Sequence, residues 1–129
     1  MSNINWVKYN PNPSGRHNAA DCIIRALCKA FNKSWLEVYN ELCEIGRRNL
    51  FMPFSKWGHD YYLRNYQTIN VYKMVGTQRK RLTINDITKF EGVYIVQIAN
   101  HLVTISDNKF WDLWDCGDKC AYKIWKVEK

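Results

Sequence analysis

The sequence predicts one α+β domain over residues 1–129, with N-terminal helices packed on a C-terminal antiparallel sheet. Apolar residues follow helical spacing in the first half of the chain, and β-branched and aromatic residues form strand-like runs in the last third. A chain of 129 residues can bury a core without disulfides. Its composition, 47% hydrophobic and 24% charged, excludes a disordered tail.

The first predicted helix begins at Cys22 and runs to Phe31, with Asp21 as its expected N-cap. Arg25 and Lys29 lie four residues apart and share one face, whereas most other positions are apolar. We therefore expect a largely buried helix with Cys22 at the end of its only water-facing stripe. A thiol at a helix start, one turn before an arginine, is favoured as the thiolate.

Other elements are expected on both sides of this helix. Residues 4–9 predict a short strand or docked arm, which a loop connects to Cys22. Ser34 and Glu37 form a capping box that opens a second helix reaching Gly46. An aromatic-rich third helix is expected over residues 55–66.

Strand patterns begin near Thr68. A strand is expected over residues 68–74, followed by a basic loop over residues 78–81 and a short helix that Thr83 caps and that ends near Phe90.

The last third of the chain predicts the main sheet. Residues 93–98 and 101–106 are strand-like, and Asp107-Asn108 is typical of a two-residue hairpin turn. The turn returns the chain as residues 109–115, and residues 121–127 alternate as a final strand.

Five cysteines in a chain without a secretion signal predict reduced thiols. Cys28 and Cys43 fall on apolar helical faces and are expected to be small buried residues. Cys116 and Cys120 form no CxxC pair and have no histidine nearby, so a turn is favoured over a zinc site. No metal or cofactor is expected.

The charge of the chain raises the question of an acidic partner. The net charge is +7, yet only residues 47–48 and 79–81 form basic clusters, and no nucleic-acid-binding motif accompanies them. A solvated basic surface is favoured over a nucleic-acid interface, with an acidic partner as the alternative.

No stretch approaches the roughly 20 apolar residues of a membrane span. The first residues also lack the apolar run of a signal peptide. We therefore expect no membrane partner and a cytoplasmic location.

A cysteine nucleophile needs a base and a group that orients the base. His101 begins a predicted strand, and the hairpin brings aspartates back towards it. A two-residue turn at Asp107-Asn108 places Asp112 on the same face as His101, whereas a three-residue turn places Asp115 opposite His101. The two-residue turn is favoured.

A cysteine that opens the central helix, a histidine on a later strand and the Asp-Leu-Trp segment at 112–114 resemble the papain-like cysteine peptidase superfamily. The stretch 18–115 is similar to small members from bacteria and their phages. The resemblance implies a papain-like fold and a thiol hydrolase that acts on an amide or isopeptide bond of a protein or peptide substrate. It assigns Cys22 as nucleophile, His101 as base, Asp112 as orienting group and Trp114 as the indole that shields the His–Asp contact.

The chain departs from the family pattern before the cysteine. The usual glutamine six residues earlier is Arg16, and the preceding residue is acidic. The Cys22 backbone N–H and the Asn18 side chain are the expected oxyanion donors, with Arg16 or His17 as alternatives to Asn18. The alternative function is a catalytically weak papain-like protein that binds an acidic protein partner, as a regulatory or anti-defence factor would.

Overall fold

The computed structural model describes residues 4–127. Within them the chain forms four helices and eight strands. The helices are α1 (Cys22–Phe31), α2 (Trp35–Asn49), α3 (Lys56–Tyr62) and α4 (Ile84–Ile87). The strands are β1 (Trp6–Lys8), β2 (Gln67–Ile69), β3 (Tyr72–Val75), β4 (Gln78–Arg81), β5 (Val93–Ile98), β6 (His101–Ser106), β7 (Lys109–Asp112) and β8 (Lys123–Val127). The α+β class is therefore confirmed, while residues 1–3 and 128–129 of the predicted domain lie outside the described part.

Six strands form one sheet in the order β1-β7-β6-β5-β8-β2. The prediction of an antiparallel sheet is correct for every neighbouring pair except β1 and β7, which are parallel, so the sheet is mixed. Parallel neighbours require a long connection, which the chain between β1 and β7 provides. The predicted N-terminal strand is thus confirmed, but it lies at the edge of the sheet beyond the hairpin.

The sheet has a core on each of its faces. On one face, side chains of α1 and α2 such as Leu27 and Leu42 pack with Leu102 and Trp125 of the sheet. On the other face, Ile84 and Ile87 of α4 belong to a second cluster. That cluster also contains Val96, Val103, Ile105, Phe110 and Ile124 of the sheet. Successive side chains of a strand point to opposite faces of the sheet, so the same strands contribute to both cores.

The central helix is tied to the sheet by packing and by a hydrogen bond. Its Ile24, Leu27 and Cys28 are buried, and the Thr104 hydroxyl of β6 donates to the Ala26 carbonyl. The predicted bounds of α1 are confirmed. This attachment sets the start of α1 relative to the start of β6.

The predicted capping box of Ser34 and Glu37 is confirmed, but α2 continues three residues beyond Gly46 to Asn49. Gly46 does not end the helix. A Cβ on it would lie 2.8 Å from the Phe51 carbonyl oxygen, so this glycine permits a close approach of the following chain. The third helix is shorter than predicted and ends at Tyr62.

The predicted strand over residues 68–74 is interrupted at residues 70–71, and the predicted basic loop over residues 78–81 is wrong. Two strands, β2 and β3, replace the single strand, and β2 pairs with β8 in the main sheet. The basic segment is strand β4, which pairs with β3 across a turn where Gly76 has a φ of 62°. Glycine accepts this left-handed conformation at low cost, which permits the hairpin.

The hairpin that carries the candidate site has the predicted register. Asp107 and Asn108 have φ values of 56° and 60°, as a type I′ turn requires, and Ser106 is paired with Lys109. Strand β7 ends at Asp112 instead of Asp115. The last strand begins at Lys123, two residues later than predicted.

All five cysteines are free thiols, as predicted. Cys28 is buried, whereas Cys43 is only half-buried. The segment between Cys116 and Cys120 is a turn in which the Lys119 N–H donates to the Cys116 carbonyl. None of the helices within residues 4–127 combines the length and the apolar character of a membrane span.

Candidate active site

The start of α1 places Cys22 in a cleft of about 390 Å³ that His101 also lines. The Cys22 side chain is half-buried. The other walls come from the segment that leads into α3 and from the end of β5 with its turn into β6. The residues that line the cleft are Ala20, Cys22, Ile23, Phe54, Ser55, Lys56, His59, Gln97, Asn100, His101 and Leu102. Cys22 is therefore accessible from a concave surface.

His101 lies between Cys22 and Asp112. Its Nε2 pairs with Asp112 Oδ2 in a short hydrogen bond. This leaves Nδ1 as the ring nitrogen that can serve Cys22. The predicted triad residues are thus brought together, since His101 is hydrogen-bonded to Asp112 and lines one cleft with Cys22, in the order that nucleophilic catalysis by a thiol requires.

The environment favours a thiolate at Cys22. Burial works to raise the pKa of this thiol, but the hydrogen bond and positive charge of His101, the Leu102 N–H and the Arg25 charge lower the pKa below its ordinary value. A thiolate is the nucleophilic form of cysteine.

The same contacts favour an imidazolium at His101. Burial works to lower its pKa, but the hydrogen bonds and negative charges of Asp112 and Cys22 raise that pKa to about 9. The two side chains therefore favour each other's charged forms, the thiolate of Cys22 and the imidazolium of His101.

Four groups fix the Asp112 carboxylate, which is 1% exposed. Its Oδ1 accepts hydrogen bonds from Arg25 Nη2 at 3.1 Å and from the Leu113 N–H at 2.7 Å. Its Oδ2 accepts from His101 and from the Cys116 thiol, whose Sγ is 3.6 Å away. The carboxylate can hardly rotate without losing several of these contacts.

The sequence predicted that Arg25 lies on a water-facing stripe. In the structure this residue is buried and only 6% exposed. Its guanidinium bridges two buried carboxylates, with Nη1 2.5 Å from Asp21 Oδ1 and Nη2 3.1 Å from Asp112 Oδ1. Burial of an arginine requires such partners. Because Asp112 lies 87 residues away in sequence, helical spacing alone gave no sign of this contact.

Asp21 occupies the predicted N-cap position, but its side chain does not cap the helix. It accepts hydrogen bonds from Arg25 and from Trp35 Nε1 at 2.8 Å. Arg25 thereby compensates the negative charge that would otherwise disfavour the neighbouring thiolate.

Trp114 lies against His101, with ring centroids 5.3 Å apart at an interplanar angle of 51°. Its position suits the shielding role that the family resemblance implies. Asp115 is exposed and accepts from the Gly117 N–H at 3.0 Å. Of the two aspartates weighed as the orienting group, Asp112 is the one that contacts His101.

The predicted oxyanion side chains are not in the cleft. Arg16, His17 and Asn18 are exposed, and none of them lines the cleft as residues 4–127 define it. The Cys22 N–H, at the first position of α1, has no acceptor within the helix. Asn18 as its companion donor stays a prediction.

Sequence reasoning missed two polar residues of the cleft, His59 and Gln97. His59 was expected at the surface or at an interface but is 5% exposed, because α3 packs on the sheet with this ring against Trp125. Gln97 occupies the half-buried position of a strand that is otherwise buried throughout. A polar residue within an apolar strand pattern was the available signal.

His101, Asp112 and Cys116 bring three possible metal ligands within 4.8 Å of one another. Burial and the nearby Asp112 raise the pKa of the Cys116 thiol, which opposes the thiolate form that binds metals. His101 and Asp112 already pair with each other. The chemistry of the cluster therefore fits a hydrogen-bonded triad better than a metal centre.

Comparison of the chain with models of known families, with curated proteins and with solved structures finds no match. The papain-like assignment accordingly stays a prediction.

The thiolate at Cys22 should be detectable by alkylation. Iodoacetamide at about pH 6 should modify Cys22 before the exposed Cys120, because only thiolates react and ordinary thiols are protonated at that pH. Peptide mass spectrometry measures the two rates. The His101→Ala substitution should slow the alkylation of Cys22 and leave that of Cys120 unchanged. Equal alkylation rates at the two cysteines of the unmodified protein would contradict the lowered pKa of Cys22.

Replacement of Arg25 should destabilise the fold. Arg25→Met leaves the buried Asp21 carboxylate without a cation and Asp112 with His101 as its remaining ion-pair partner, and it should reduce the free energy of unfolding by about 3–5 kcal/mol. Urea denaturation measures this change. The control is Arg47→Met, whose side chain is 72% exposed in its pair with Glu44. The control should cost at most about 1 kcal/mol, and similar losses in the two variants would contradict the network.

Proposed function

We propose that the protein is a thiol hydrolase that cleaves an amide or isopeptide bond in a protein or peptide. The observation that supports this most is the contact of His101 with the buried Asp112 while Cys22 and His101 line one cleft. A lowered thiol pKa at Cys22 and a raised imidazole pKa at His101 are what such chemistry needs.

In the proposed acylation step, the Cys22 thiolate attacks the carbonyl carbon of the substrate. The carbon–nitrogen bond breaks with its electron pair moving to nitrogen, and His101 gives its Nδ1 proton to the leaving amine. The acyl group remains on sulfur as a thioester. In the second step, water attacks the thioester while His101 takes a proton from it, and the carbon–sulfur bond breaks to regenerate the thiolate.

Each supporting residue has a part in this scheme. Asp112 holds the imidazole in one orientation and stabilises its positive charge. Arg25 holds Asp112, and Trp114 limits the access of water to the His–Asp hydrogen bond. The Cys22 N–H is available to the oxyanion that forms during both attacks.

We further infer membership of the papain-like superfamily. The chain order of cysteine, histidine and aspartate, the helix start at Cys22 and the tryptophan beside His101 support it. A cytoplasmic place of action is supported by five free thiols.

Two aspartate variants test the proposed hydrolase. On a library of fluorogenic peptide amides, Asp112→Ala should lower the rate by about 10²-fold or more, because His101 loses its orienting group. Asp115→Ala is the matched control and should be nearly silent, since Asp115 contacts a loop N–H. Cys22→Ala should abolish turnover. The proposal fails if Cys22→Ala retains the activity or if Asp115→Ala has the larger effect.

The second candidate function is binding of an acidic protein partner. The β3–β4 hairpin favours it, because no carboxylate within residues 4–127 forms an ion pair with Arg79, Lys80 or Arg81. Arg79 lies 4.2 Å from the centroid of Tyr72. The strands are exposed almost throughout and form a two-stranded sheet of their own. Such a surface suits acidic side chains.

A charge-matched pair of double variants tests this binding. A fluorescein-labelled polyglutamate peptide should bind less tightly to Arg79→Gln/Lys80→Gln, by about threefold to thirtyfold for two exposed ion pairs. Arg47→Gln/Arg48→Gln removes the same charge from the end of α2 and should change the affinity little. Fluorescence anisotropy measures both. Equal losses would mean that net charge alone acts, and tighter binding of an oligothymidylate would favour a nucleic acid.

A further inference from the structure

A second cavity, of about 210 Å³, lies on the other side of the β5–β6 turn from the candidate cleft. Ala99 of this turn lines the second cavity, whereas Asn100, the next residue, lines the cleft. Trp114 forms a wall of the second cavity, and its ring also lies against His101, with the centroids 5.3 Å apart. The second cavity therefore adjoins the place where His101 acts.

The second cavity continues into the exposed face of the β3–β4 hairpin. Tyr122 lines the cavity, and the Arg81 guanidinium lies 5.4 Å from the centroid of its ring. Arg81 is also 5.1 Å from the Tyr72 ring centroid, and Arg79 is 4.2 Å from it. Successive side chains of a strand alternate between faces, so the two arginines share one face of β4. We call these four side chains, with Lys119 and Trp114 of the cavity, the basic track.

The cations of the basic track have no carboxylate partner in the described part of the chain. Arg79, Arg81 and Lys119 take part in none of the ion pairs found there. Asp115 and Asp118 lie on the same turn as Lys119 but do not line the second cavity. Uncompensated cations along one path attract an anionic chain.

The arginines of the basic track are oriented by their neighbours. Arg81 Nη1 donates to the Ala121 carbonyl at 3.0 Å, which holds the guanidinium beside the rings of Tyr72 and Tyr122. A guanidinium has five N–H donors, so the others are available to a ligand. Carboxylates accept these hydrogen bonds and carry the opposite charge, whereas amides lack the charge. Acidic side chains are therefore the groups that suit this surface.

The proposed reaction decides which part of a substrate reaches the basic track. His101 gives its proton to the leaving amine, so the residues after the scissile bond extend from His101. Trp114, which is 41% exposed, lies beside His101 and leads into the second cavity. A substrate chain that passes Trp114 on this side meets the rest of the basic track.

We propose that the basic track binds acidic residues that follow the scissile bond in a protein or peptide substrate. The inference rests on the proposed hydrolase and names its substrate class, which is a chain with glutamate or aspartate residues on the leaving-amine side. It differs from the second candidate function, because the acidic chain is the substrate and its binding surface reaches the catalytic side chains. Arg79, Arg81 and Lys119 are then specificity-determining residues.

Binding can be measured without turnover in the Cys22→Ala protein. Two fluorescein-labelled peptides carry the same run of alanines, followed by glutamates in one and by glutamines in the other. Fluorescence anisotropy should show at least about tenfold tighter binding of the glutamate peptide, because several exposed ion pairs form together. Equal affinities would overturn the proposal. Tighter binding of a labelled oligothymidylate would also overturn it, in favour of a nucleic-acid surface.

Charge-matched variants in the Cys22→Ala background locate the bound peptide. Arg79→Gln/Lys119→Gln removes two cations from the basic track and should weaken binding of the glutamate peptide by about threefold to thirtyfold. Lys89→Gln/Lys109→Gln is the control, because it removes two exposed cations near the other end of β6. The control should change the affinity little, and equal losses in the two variants would overturn the assignment.

Cys120 reports whether the peptide enters the second cavity, because this exposed thiol lines it. A saturating concentration of the glutamate peptide should slow the alkylation of Cys120 by N-ethylmaleimide severalfold. Alkylation of Cys43, a half-buried thiol on α2, should be unchanged. Peptide mass spectrometry measures both rates. Undiminished alkylation of Cys120 would place the peptide elsewhere and overturn the proposal.

Turnover separates the basic track from the proposed reaction. If the Cys22→Ala protein binds the glutamate peptide through the basic track but the unmodified protein cleaves no peptide amide, the track stands and the hydrolase fails. If the unmodified protein cleaves peptides equally well with glutamates or glutamines after the bond, the track fails and the hydrolase stands. Faster cleavage when the glutamates precede the bond would overturn the assignment to the leaving-amine side.

Discussion

The buried ion-pair network around Arg25 is the interaction on which the candidate site depends. One guanidinium joins Asp21, which precedes the first turn of α1, to Asp112 at the end of β7. Removing three charges from water is costly, and only short, well-oriented hydrogen bonds compensate that cost. The network therefore links the helix that carries Cys22 to the strand whose end orients His101. It also keeps one positive charge near the thiol.

Two opposing effects act on Cys22 and His101. Burial disfavours the charged form of each side chain, whereas each stabilises the charged form of the other. The attraction outweighs burial at both residues, so the thiol pKa falls and the imidazole pKa rises. At Cys28, by contrast, burial and the negative charges of Asp21 and Glu37 raise the thiol pKa to about 12.

The cleft combines a reactive wall with a wall that carries two polar side chains. The start of α1 and the β5–β6 turn supply Cys22 and His101, while α3 and β5 supply His59 and Gln97. The start of α3 lies close to the preceding chain at Pro53, and a Cβ at Gly58 would overlap the Pro53 carbonyl oxygen. Glycine at this position therefore allows the chain before α3 to lie beside the helix and complete the cleft.

The sequence by itself determined the features of the fold that depend on neighbouring residues. The start of α1 at Cys22, the capping box of Ser34, the turn at Asp107-Asn108 and thus the position of Asp112 follow from propensities and spacing within a few residues. Tertiary structure alone decided the burial of Arg25 and the parallel edge strand β1. It also decided the burial of His59 in the cleft. These features depend on partners far along the chain, as Asp112 is for Arg25, and a local pattern of polarity cannot show that a distant carboxylate will compensate a buried charge.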